Sequence, residues 1–213
     1  MDRRIEIRSR LNSAFREKSD DLVSSTFPKI GRNQYRKIFE CMNDILWPAT
    51  EPKAGRTLDF SPETLSLLDH WLGDARAEAK QRPEVTDVVQ SAAGAYLGEV
   101  IRRQFGAEWF SEGESSGWRL FMTTVYCAFN PIGMAREALL LEPAEGWHAH
   151  LELDPGERDA VEARLEALPA TPEEEYYLPT TRFDVLWIVV DALRAGLRSR
   201  GLGDVRFGPE DYR

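Results

Sequence analysis

Between Phe183 and Leu193 the chain gathers Phe183, Val185, Leu186, Trp187, Ile188, Val189, Val190 and Leu193 into one short span. With Gly201 placed to stop it, the stretch predicts a long helix from about Thr181 to Arg200. On a helix these side chains surround much of the circumference instead of lying along one stripe. A helix that is apolar on most sides has to be covered on most sides, so the chain is expected to build its domain around this segment as a central core helix. The same region holds the longest apolar run, Val185 to Val190. That run is far shorter than the roughly 20 residues needed to cross a bilayer.

Proline and glycine punctuation divides the remainder. A first helix is expected from about Asp2 to Val23, with Ile5, Ile7, Leu11, Phe15 and Leu22 on one side and Arg3, Arg4, Arg8, Arg10, Arg16 and Lys18 on the other. Pro28 and Gly31 separate it from a second helix near Asn33 to Leu46, which Pro48 stops. Residues 1–48 are thus expected to form a helical pair, residues 49–60, with Pro52 and Gly55, a linker, and residues 61–213 the main domain. A third helix opens with Ser61 as N-cap, Pro62 at its first position and Glu63 at the positive end of the dipole. Its buried face is Leu65, Leu68, Trp71, Leu72 and Ala75. A fourth helix, about Val85 to Phe105, carries Gly94 and Gly98 on one side, where the missing side chains let another element approach closely. Glu99 is spaced to pair with Arg103.

The period then changes from helical to alternating. Glu108 to Ser111 and Trp118 to Asn130 are rich in Trp, Phe, Val, Thr and Tyr, with Gly113 and Gly117 between them, which predicts a small antiparallel sheet. A short helix is expected from Ile132 to Leu141, and Trp147 to Leu153 alternates as a further strand would. Asp154 and Glu157 have capping-box spacing ahead of a helix that buries Val161, Leu165 and Leu168. The tail, Leu202 to Arg213, is either loosely packed or an edge strand through Val205 to Phe207. The fold class is therefore α+β: a helix-dominated single domain with a small antiparallel sheet and an N-terminal helical pair.

Charge is distributed unevenly. From Glu142 to Glu175 there are eleven carboxylates against Arg158 and Arg164, a net of −9 that equals the formal charge of the entire chain. The first sixty residues hold twelve Lys and Arg against nine Asp and Glu, a net of +3. One concentrated acidic region attracts a basic protein and repels nucleic acid and anionic membrane, so neither of those is an expected partner. Trp147, Tyr176 and Tyr177, taken as exposed aromatics, add the composition of a binding face in which aromatic anchors supply contact and Glu152, Glu162, Glu166, Glu173, Glu174 and Glu175 steer. The basic N-terminal helix offers the alternative of docking on that face within one chain or between two copies, so homo-oligomers are a possible outcome.

Catalytic and cofactor motifs are sparse. His148, His150 and Glu152 would share one face of a strand, and two histidines with a carboxylate could ligate Zn²⁺ or Fe²⁺, but a solvated strand face is the simpler account and the one expected. Cys127, among Val125, Tyr126, Ala128 and Phe129, reads as a packed thiol, and Cys41 reads similarly. The two are expected to be reduced, because Met1-Asp2-Arg3-Arg4 leads into no apolar signal segment and the expected location is cytoplasmic. Asp184 and Asp191 lie seven apart on one helix face, but capping by Asp184 and a contact of Asp191 with Arg194 explain them without acid–base chemistry. Gly201-Leu202-Gly203 follows a helix instead of opening one, so it is not expected to cradle phosphate. No cofactor is expected.

The segment from Ala92 to Arg103, with Gly106, Trp109 and Asn130-Pro131-Ile132-Gly133, resembles a group of uncharacterised bacterial domains that share a glycine-containing helix, a small sheet and a proline-glycine turn. That group has no established catalytic residues to carry over. As a small acidic protein without catalytic motifs, the chain is also similar in profile to toxin-neutralising immunity proteins. The similarity implies a bacterial protein-binding module, an immunity or inhibitor protein that occludes a basic partner. The rival expectations are a metal-dependent enzyme using His148 and His150, and a subunit that assembles through its N-terminal helices.

Overall fold

Ten consecutive residues of one helix, Ala92 to Ile101, are buried without exception, and the domain is organised around them. The computed structural model describes residues 59–111 and 113–212. The expected helical pair at 1–48, and the linker apart from Asp59 and Phe60, lie outside the described residues. Six α-helices and one four-stranded sheet occur among the described residues. In chain order they are α1 (Leu65–Ala79), α2 (Pro83–Phe105), β1 (Ala107–Phe110), β2 (Arg119–Met122), β3 (Cys127–Phe129), α3 (Pro131–Leu140), β4 (Glu152–Leu153), α4 (Arg158–Glu166), α5 (Glu173–Tyr176) and α6 (Pro179–Ser199). A helix-dominated α+β domain with a small antiparallel sheet is what the periodicity predicted.

The central helix is α2, not the α6 segment that apolar content pointed to. Phe183, Leu186, Val189, Val190 and Leu193 of α6 are buried, but Val185 and Ile188 are only half-buried and Trp187 is 49% exposed, edge-on to Phe105. What centres α2 is small size. Ala92, Ala93, Gly94, Ala95 and Gly98 contribute little to any hydrophobic count, yet they let neighbours approach from several sides. A Cβ on Gly94 would stand 2.8 Å from both the Pro131 carbonyl oxygen and the Ile132 nitrogen, so helix α3 lies backbone-on-backbone against it. A Cβ on Gly98 would stand 2.6 Å from Trp109 Cη2 and 3.1 Å from Pro131 Cγ. The side chain of Asn130 caps α3 by accepting the Ile132 and Gly133 N–H groups at 2.9 and 3.4 Å.

Other helix ends are secured from a distance. Ser61 makes no side-chain cap. Its carbonyl instead accepts the Thr64 N–H and hydroxyl as residues Pro62–Thr64 form a 3₁₀ turn. Asp69 of α1 accepts from the Thr180 hydroxyl at 2.5 Å and the Thr180 N–H at 3.3 Å, so a residue 111 positions away caps α6. Burial holds the Asp69 carboxyl above the usual carboxylate range, partly offset by those two hydrogen bonds. At its other end α6 closes in a Schellman motif: Gly201 adopts φ 74°, and the N–H groups of Gly201 and Leu202 bond Arg198 and Leu197 carbonyls at 3.0 and 2.9 Å.

The sheet is antiparallel throughout in the order β1-β2-β3-β4. The register Trp109↔Leu120↔Phe129, with Ala107↔Met122 and Cys127↔Leu153, puts these seven residues on one face, and Trp109 carries that face onto α2. Glu108, Phe110, Arg119, Phe121, Ala128 and Glu152 share the opposite face. The tail does not form an edge strand. Phe207 donates its N–H to the Thr123 carbonyl at 2.9 Å, and a 3₁₀ turn at Pro209–Tyr212 swings Tyr212 onto Phe121 and Tyr126.

Candidate functional site

The tyrosines expected to anchor a partner are engaged by a buried arginine, Tyr177 enclosed and Tyr176 half-buried. The guanidinium of Arg182 in α6 is buried in an ion pair with Glu137 of α3, and its Cζ lies 4.0 Å from the Tyr176 ring centroid. Arg182 Nη1 donates to the Tyr176 hydroxyl at 2.9 Å, and Glu137 Oε1 accepts the Ala144 N–H at 3.2 Å. Tyr177, expected to be exposed, is 5% exposed and donates its hydroxyl to Glu173 at 3.1 Å. A buried cation needs both a counter-charge and electron-rich surroundings, and Tyr176 and Tyr177 supply the second part. The cluster therefore ties α3, the chain at Ala144, α5 and α6 together. Trp147 is half-buried as well, with the Arg136 guanidinium 5.4 Å from its ring and its backbone pressed against Gly133.

The carboxylates have separate settings. Glu162 and Glu166 are exposed one turn apart on α4, and Glu173, Glu174 and Glu175 are exposed on α5. None of these five enters an ion pair among the described residues, while the nearby Arg164 is taken by Asp191 at 3.4 Å. The expected partner of Asp191, Arg194, instead donates to the Phe105 carbonyl and the Thr124 hydroxyl. Asp184 sits inside α6, exposed, and caps nothing. Glu157 does not complete a capping box: it pairs with Arg200, while Asp154 alone accepts the Gly156 N–H at 2.8 Å. Leu168, expected in the core, is 40% exposed beyond the end of α4.

His148, His150 and Glu152 do converge, although not on a strand. Only Glu152 and Leu153 pair with β3, and His148 takes a left-handed backbone at φ 51°. That conformation is held by the Asn130 N–H bonding the His148 carbonyl at 2.8 Å and by the tight seat of Trp147 against Gly133. All three side chains line a cleft of about 660 Å³ over the second face of the sheet. Phe110, Arg119, Phe121 and Tyr212 line it too. Among the described residues no group of three or more His, Cys, Asp or Glu is placed to hold a metal ion. Arg119 is half-buried, spends Nη1 on the Trp118 carbonyl at 2.8 Å, and has no carboxylate within ion-pair distance among the described residues; burial lowers its pKa, with Glu152 opposing from further away. Neither Arg119 nor Tyr212 stood out in the sequence. The signal for Arg119 was its place in the alternation, two before Phe121, on the face that does not meet the helices.

Cys127 lies on the other face, fully buried, and burial with help from Glu152 pushes its thiol up to about 12. A neutral, enclosed thiol is no nucleophile. No helix among the described residues is long and apolar enough to cross a membrane. Comparison with protein-family models, with curated proteins and with solved structures gave no match. The resemblance at Ala92–Arg103 and Asn130–Gly133 thus stands on its residues alone, and in the fold those residues form the α2–α3 contact that brings Gly94 and Gly98 onto Pro131, Ile132 and Trp109.

Proposed function

We propose that the protein is a binding module, an immunity or inhibitor protein, that occludes a basic protein through the carboxylates of α4 and α5. The observation that supports this is the exposure of Glu162, Glu166, Glu173, Glu174 and Glu175 without any neutralising partner among the described residues. Tyr176 and Tyr177 fix the shape of this surface from beneath, since Arg182 holds both. The contact energy on the module's side then comes from the exposed Leu168 and from aliphatic stems, with the carboxylates setting the rate of encounter.

A partner captured by crosslinking to this surface and purified as a basic protein supplies the test. Its association rate should fall by about tenfold or more between low and high salt, and again when Glu173, Glu174 and Glu175 are all changed to Gln, with dissociation little altered. An association rate indifferent to both salt and the triple change would refute steering by this face.

A further inference from the structure

The cleft over the sheet is separate from the acidic surface of α4 and α5, and its chemistry differs. Its floor is aromatic: Phe110 on β1, 43% exposed, Phe121 on β2 and Tyr212 from the tail, with the Phe121 and Tyr212 centroids 5.1 Å apart. Its volume of about 660 Å³ falls within the roughly 300–1,000 Å³ common for small-molecule sites. Register places its two opposite charges. Arg119 stands on β2 and Glu152 on β4, with Ala128 of β3 between them opposite Glu152. Arg119 lies two residues along β2 from Phe121, diagonal to Glu152, and the two charges are not within ion-pair distance although Glu152 still acts on Arg119 from further away. Arg119 therefore faces an aromatic cleft with donor capacity beyond the carbonyls its Nη1 reaches. Glu152 and the exposed His148 and His150 form the other wall.

A planar ring can lie over the exposed Phe110 and against Tyr212, with Phe121 packed beneath at 3% exposure, and a half-buried guanidinium without a carboxylate partner among the described residues calls for an anion in its plane. We infer that this cleft binds a small planar aromatic carboxylate, with the ring on Phe110 and Tyr212 and the carboxylate on Arg119, the cross-strand partner of Phe110. The anion has to enter on the β2 side of the cleft, away from Glu152, so Glu152 fixes orientation by repulsion.

The full-length protein can be titrated with 2-naphthoate and with its neutral counterpart 2-naphthylmethanol, followed by calorimetry and by backbone amide shifts. Naphthoate is expected to bind at least tenfold tighter than the alcohol and to shift the amides of residues 108–110, 119–121 and 148–152. Arg119→Gln should remove that preference, bringing naphthoate down to about the affinity of the alcohol. Phe110→Ala, at an exposed position, should weaken both compounds alike. Glu152→Gln, also exposed, should tighten naphthoate severalfold, which keeps the test open if Arg119→Gln fails to fold. Equal affinity for the two compounds, no binding at millimolar concentration, naphthoate weakened by Glu152→Gln, or shifts confined to other residues would each overturn the inference.

Discussion

Replacing Gly94 by Ala tests whether small residues, and not the most apolar helix, hold the centre of this domain. In an exposed helix the change gains about 1 kcal/mol from backbone propensity. At Gly94 the new Cβ would overlap the Ile132 Cα outright and fall about 0.6 Å short of ordinary contact with both the Pro131 oxygen and the Ile132 nitrogen, which lie at 2.8 Å where 3.4 Å is the usual lower bound. These are backbone atoms at the capped start of α3, so no side chain can rotate away to make room. Helix α3 has to retreat, and a radial gap of that size forfeits a quarter to a half of the dispersion attraction along the contact. Overpacking of this kind costs about 1–3 kcal/mol or more, and the propensity gain offsets only part of it. Because the overlap is with backbone the upper end of that range applies, so a net loss of up to about 2 kcal/mol is expected, read as a Tm lower by up to about 4–8 °C for a chain of this size. Gly73→Ala on α1 is the control, because its Cβ would meet nothing nearer than Arg76 Nη1 at 3.8 Å. It should raise Tm slightly. Calorimetry showing Gly94→Ala as stable as the parent, or both variants stabilised alike, would refute close packing at α2.

Two further outcomes follow from buried groups. Arg182→Met leaves Glu137 enclosed without its counter-charge, so urea unfolding should show a loss of about 3–5 kcal/mol, and adding Glu137→Leu to that variant should recover much of it. Cys127 has its folded-state pKa raised, from an ordinary 9.0 to about 12, so its contribution to stability is intact below pH 9 and is lost as pH climbs toward 12. The loss runs at up to about 1.4 kcal/mol per pH unit and should be shallower in Cys127→Ala; identical pH profiles between pH 8 and 11 would contradict burial of the thiol.

How far the chain revealed its fold depended on the kind of signal. Periodicity located α1, α2 and β1 to within a few residues, because each presents a regular face to a neighbour, and Asn130-Pro131 marked the start of α3 through local chemistry at the cap. Rank in the core was misjudged because hydrophobic content measures what a helix could bury, whereas backbone approach decides what it does bury. Trp187 and Ile188 raised the expectation for α6 and are the positions left partly open. The strand expected from Trp147 to Leu153 failed for a related reason. Alternation was present, but Gly133 draws Trp147 against α3, and His148 has to turn through a left-handed conformation to rejoin the sheet at Glu152.

The candidate sites were legible only where composition and position coincide. Glu162, Glu166 and Glu173 to Glu175 are solvent-facing on short helices, as their charge alone requires. Tyr176 and Tyr177 could not be placed from composition, because their role depends on Arg182, five or six positions onward, needing a counter-charge from Glu137 on a different helix. Burial of that arginine makes the tyrosines part of its solvation, with Tyr177 enclosed and Tyr176 half-buried. The cleft was hidden by the same long-range logic: Arg119, Glu152 and Tyr212 are far apart in sequence and meet only because antiparallel register sets Phe121, Ala128 and Glu152 side by side. Tyr212 completes the floor by accepting the Cys127 N–H at 3.0 Å and reaching the Met122 carbonyl at 2.8 Å, so the chain's last described residue fixes both the buried strand β3 and the wall of the cleft above it.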